Sequence, residues 1–119
     1  MKNCLPLKCI VLDRMIRSFA ASSEVDGLEY MDGEGLSIFS QPSQNTGLSN
    51  IGQSMLGLLD NVQPSSIVTL TGENGTLMAV ILATGNILSL SCTTSANLGL
   101  IRNELNAIIE SAQAIASAF

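Results

Sequence analysis

At 119 residues with 46% hydrophobic content, the chain is the size of one domain, residues 1–119, able to bury its own core but too short for a catalytic domain joined to a regulatory one. Its net charge is −5, and no lysine or arginine occurs from Ser18 to Ile101, a stretch with seven acids, which excludes the clustered cations that nucleic-acid binding requires. There is no histidine, so a Ser-His or Cys-His nucleophile is excluded, and a zinc site built on Cys4, Cys9 and Cys92 would lack ligands.

Lys8, Asp13 and Arg14 interrupt the apolar residues at the start before a signal-peptide core can form. No segment approaches the roughly 18 apolar residues of a spanning helix, so membrane insertion is not expected and a soluble cytoplasmic protein with reduced, packed thiols is. Pro6 can open a helix, because its missing N–H would be unpaired there anyway, and Leu5, Cys9, Leu12, Met15, Ile16 and Phe19 share one face of a helix ending near Ser22. Val25–Met31 reads as a strand, Asp32-Gly33-Glu34-Gly35 as a tight turn, and Leu36–Ser40 as the returning strand, stopped by Pro42. From Thr46 to Val62, Leu48, Ile51, Met55, Leu58, Leu59 and Val62 form a second helical stripe ahead of Pro64.

Three strands follow. Ser66–Thr71 alternates weakly and turns at Gly72-Glu73-Asn74-Gly75, where an Asn-Gly pair tolerates positive φ. Leu77–Leu82 is wholly apolar, the pattern of a central strand buried on both faces. After Thr84-Gly85-Asn86, Ile87–Cys92 places Leu88, Leu90 and Cys92 on one side. In the last helix, Leu98, Ile101, Leu105, Ile108, Ile109, Ala112, Ile115, Ala116 and Phe119 fall in a stripe about 120° wide, with Asn97 placed to cap its first amides. The order α-β-β-α-β-β-β-α predicts an α+β fold: one five-stranded antiparallel sheet with helices on both faces.

Sites for chemistry are scarce. Asp32 and Glu34 flank Gly33, but acids beside glycines in a hairpin loop are turn formers, and nothing apolar nearby would raise a pKa. The glycine-rich turns match neither a P-loop nor GxGxxG, and alternation makes Cys92 a core residue. No catalytic residue, cofactor or metal is expected, and the chain is not read as an enzyme.

What remains is surface for association. On the middle predicted helix, Ser49, Gly52 and Leu56 lie just outside the core stripe, an apolar and small-residue flank suited to a second helix. Ser95-Ala96-Asn97-Leu98-Gly99-Leu100-Ile101, entering a final helix directly after a strand, resembles the last segment of the roadblock family of dynein-light-chain-type domains, whose relatives include bacterial polarity regulators and lysosomal GTPase scaffolds. Longin and profilin-like domains have related architectures. The resemblance implies that the first and last helices share one face of the sheet and the middle helix takes the other. It also implies that Ser66, Ile67, Val68, Thr69 and Leu70 form a sheet edge, which here lacks the lysine, proline or inward charge that blocks pairing. Together with Ser49, Gly52 and Leu56, that edge would build a twofold dimer with a continuous sheet, as a homodimer or with a related roadblock chain.

The function so implied is that of a non-catalytic dimeric regulator or scaffold of a small Ras-like GTPase, a possible GTPase-activating co-factor. Bacterial relatives present their paired middle helices to the GTPase, which would place Ser49, Asn50, Gln53, Ser54 and Asp60 at that contact. The single charge among these five departs from a charge-rich docking face. The alternative is a structural adaptor that assembles a larger complex without sensing nucleotide.

Overall fold

The computed structural model of the protein describes residues 6–41 and 63–117, with side chains from Cys9 onward in the first segment. Helix α1 (Pro6–Ala20) leads into strands β1 (Val25–Met31) and β2 (Ser37–Gln41); β3 (Ile67–Gly72), β4 (Gly75–Ile81) and β5 (Ile87–Cys92) precede helix α2 (Leu98–Ser117). The strands form one antiparallel sheet in the order β2-β1-β5-β4-β3, so the first hairpin joins the second through its contact with the last strand. The fold is α+β, as the element pattern predicts. The expected middle helix over 46–62, with its place on the opposite face, lies outside the described residues.

Cross-strand register sorts the side chains into two faces. Tyr30, Leu88, Val80 and Ile67 form one row across the sheet, and Leu28, Leu90, Met78 and Thr69 the next. These rows meet α1 and α2 in a single core, where Leu12, Ile16 and Phe19 of α1 pack with Ile101, Leu105, Ile108 and Ile115 of α2. The two described helices therefore share one face, as expected. Leu98 and Ala116, at the margins of the predicted α2 stripe, are half-buried.

The other face carries Glu29, Ser89, Ala79 and Val68 in one row. It too is withdrawn from solvent: Ser89, Ala79 and Met31 are fully buried and Glu29 nearly so. The apolar run through β4 is thus buried on both faces, Met78 and Val80 against the helices and Ala79 opposite.

The turns follow their chemistry. One Asp32 carboxylate oxygen accepts the N–H groups of Glu34 (2.9 Å) and Leu36 (3.0 Å), and Gly35 takes φ 88°, which favours glycine. Asn97 caps α2 as expected, accepting the Leu100 N–H at 3.1 Å, while its own N–H donates to the Glu24 carboxylate at 2.7 Å. That reach from the start of β1 across 73 positions closes the helix end from both sides. Cys92 is a free, buried thiol, but Cys9 is disulfide-bonded, which corrects the expectation of reduced cysteines at that position.

Candidate interaction surface

Strand β3 is an edge of the sheet: the local chemistry holds it firmly on one side, and among the described residues no strand pairs with the other. Its inner side pairs with β4 along its whole length, from Ile67↔Val80 to Gly72↔Gly75. At the hairpin, Gly75 adopts φ 141°, and a Cβ there would stand 2.2 Å from the Cys92 carbonyl oxygen, so only glycine lets β4 pass this close to β5. The positive φ of this turn falls on Gly75 and not on Asn74; Ser65 is the one non-glycine residue with positive φ among those described. Ser65 starts the strand by donating its N–H to the Ile81 carbonyl at 2.7 Å. Two side chains of α2 fasten β3 from the helix side: Arg102 donates to Thr69 Oγ1 and Gln113 to Ser65 Oγ, each at 3.2 Å.

Pairing with β4 uses only one side of an antiparallel strand, so about half of the residues of Ile67–Gly72 direct N–H and C=O groups away from the sheet. Ile67, Val68 and Thr69 are half-buried, whereas Ser66 and Leu70 are exposed, Leu70 by 55%. Leu70 borders a hollow of about 320 Å³ that it shares with Leu77 and Ser91. The strand carries neither charge nor proline, so nothing on it opposes another strand. All five β3-side residues singled out from the sequence thus lie together on this edge. Ser49, Asn50, Gly52, Gln53, Ser54, Leu56 and Asp60 lie outside the described residues.

Several other polar groups among the described residues serve structure. Tyr30 accepts a buried hydrogen bond from Asn86 Nδ2 at 2.8 Å, and burial pushes its hydroxyl above its ordinary pKa. Burial, with Asp26 and Glu24 nearby, raises the Cys92 thiol to about 11, which leaves it protonated and unreactive at neutral pH. Asp32 is occupied with its own turn. Among the described residues no group of three or more potential ligands could hold a metal ion, and no helix is long and apolar enough to cross a membrane. Sequence reasoning missed Glu24 and the Arg17 guanidinium 4.4 Å over the Phe39 ring, because both depend on pairings distant in the chain.

No family model and no curated protein matches the sequence. Among solved structures, the chain is similar to MglB of Myxococcus xanthus, at 17% identity and TM-score 0.68, over 92% of this chain and 97% of that one. A Roadblock/LC7 domain of Streptomyces avermitilis matches at 15% identity and TM-score 0.66, over 83% of this chain and 95% of that one. The fold is that of the roadblock domains. The gliding protein MglB of Thermus thermophilus has the same roadblock fold, with 12% identity, TM-score 0.65, and coverage of 94% of this chain and 93% of that one.

Proposed function

We propose that the protein is a non-catalytic roadblock-type dimer that regulates or scaffolds a small Ras-like GTPase. The observation carrying this reading is the uncharged edge of β3 in a roadblock fold, unpaired among the described residues, whose outward backbone groups suit a second copy of the same strand. Two β3 strands related by a twofold axis would extend the sheet across both subunits, with Ser66, Ile67, Val68, Thr69 and Leu70 at the seam. Ser49, Gly52 and Leu56 are proposed to complete that seam, and Ser49, Asn50, Gln53, Ser54 and Asp60 to meet the GTPase. Such a protein needs no reacting group, since binding one nucleotide state better than the other shifts the partner's population.

The test is affinity capture with the tagged protein, run in parallel with GDP and with a non-hydrolysable GTP analogue, and with sedimentation of the purified chain. A dimer that retains a Ras-like GTPase in one nucleotide state is the expected result. The same partners in both states would favour the adaptor, and a chain monomeric across micromolar concentrations would remove the dimer on which both readings rest.

A further inference from the structure

Four of the five cations of this chain fall within residues 1–17, and the described part of that segment carries exposed large apolar side chains. Lys2, Lys8, Arg14 and Arg17, against the single acid Asp13, give residues 1–17 a net +3, while Arg102 against nine acids leaves the remainder at −8. Within α1, Leu12, Ile16 and Phe19 are used in the core, yet Ile10 and Val11 remain 49% and 47% exposed. With Arg14, they occupy an arc of about 100° on the outward side of the helix. Ile38 of the neighbouring edge strand β2, also exposed, shares a hollow with Ile10, so three of the six exposed large hydrophobics among the described residues belong to this surface.

The shape of this end matters as much as its composition. Arg14 stands on a ridge between two hollows, one of about 550 Å³ between α1 and α2 and one of about 330 Å³ where Ile10 faces Tyr30 and Ile38. Arg17 is committed to Asp13 at 2.8 Å and lies over Phe39, whereas Arg14 makes no ion pair with the described residues. Glu104, on the α2 wall, is the one acid among the residues lining the larger hollow.

We propose that the outward face of α1 docks the protein on an anionic lipid surface. A helix lying in the plane of a bilayer sets apolar side chains at the acyl boundary and cations among lipid phosphates, which are the two side-chain types this ridge presents. An acidic protein would answer the charge, but among the described residues of this face it would find a single cation outside an ion pair, Arg14, whereas a lipid surface offers phosphates wherever that cation lands. The −8 on the rest of the chain is repelled by the same surface and turns α1 toward it. The docking is peripheral and leaves β3, on the far side of the sheet, free to pair.

Flotation of the full chain with vesicles of phosphatidylcholine alone, and of equimolar phosphatidylcholine and phosphatidylglycerol, tests this directly. The wild-type chain is expected to float with the anionic vesicles, to stay behind with the neutral ones, and to be released as salt rises. Arg14→Glu should weaken binding by more than the about fivefold that one surface cation is worth, and Ile10→Asn with Val11→Asn should abolish it, both variants retaining wild-type circular dichroism. Gln63→Glu with Asn74→Asp changes net charge equally at exposed positions away from α1 and should stay within about twofold of wild type. Failure to float with anionic vesicles, equal binding to neutral ones, or equal effects of Arg14→Glu and of the Gln63→Glu, Asn74→Asp double variant would overturn the proposal.

Discussion

Replacing Leu70 with lysine is the most direct way to examine the β3 edge. Burying a leucine fully is worth about 1.5–3 kcal/mol, and with 55% of Leu70 exposed in the single chain, roughly half of that gain is left for association. A twofold interface counts each residue twice, so in the proposed dimer the pair of leucines would contribute about 2 kcal/mol that lysine forfeits. Two ammonium groups brought toward one axis raise the loss to about 3 kcal/mol, or about a hundredfold in the dissociation constant. The monomer should be almost unaffected, within about 0.5 kcal/mol, because an exposed lysine on an edge strand keeps its charge in water. Sedimentation equilibrium over a concentration series measures the shift, with Leu100→Lys as a control at an exposed leucine on α2. A dissociation constant for Leu70→Lys that matches both the wild type and Leu100→Lys would refute the assignment of this edge to the dimer.

Other substitutions probe the frame that holds this edge. Gly75→Ala must move the chain away from the Cys92 carbonyl and adopt an unfavourable φ, so it should cost about 3 kcal/mol and lower the thermal midpoint by roughly 10 °C or more in calorimetry. Asn97→Ala and Glu24→Ala should each cost about 1 kcal/mol in urea unfolding, and less than the sum together, since both satisfy the same helix end. Because the folded Cys92 thiol titrates near about 11 rather than 9.0, its contribution to stability is complete below pH 9.0 and is lost as pH rises to about 11. Cys92→Ala should flatten that part of the pH profile, and alkylation of Cys92 at pH 8 should keep pace with unfolding rather than with added reagent.

Local rules made most of the fold legible. The α2 stripe could be read because helical period and Asn97 agree on the same start, and α2 begins at Leu98 as predicted. Strand β1 occupies the predicted Val25–Met31, and the apolar run of β4 foretold burial on both faces. What escaped depends on tertiary encounters. Nothing near Glu24 announces that it will hold the amide of Asn97, and the bulge between Tyr30 and Met31 follows from how β2 meets β1. The absence of charge and proline on β3 was visible, but its place at the edge came only with the resemblance, since a weakly alternating strand does not reveal its neighbours. How far Leu70 stands out could be read only from the folded chain.

The strand order carries a consequence for how the chain is made. A nascent polypeptide leaves the ribosome with α1, β1 and β2 first, yet β1's second partner is β5, whose pairing runs from Val25↔Cys92 to Met31↔Ile87. Until β5 has emerged, about 60 residues behind β1, the first hairpin presents a bare apolar flank, and α2, which closes the core, follows later still. Early release or slow synthesis of the C-terminal third therefore exposes this protein at its most adhesive, before the strand that seals its middle exists.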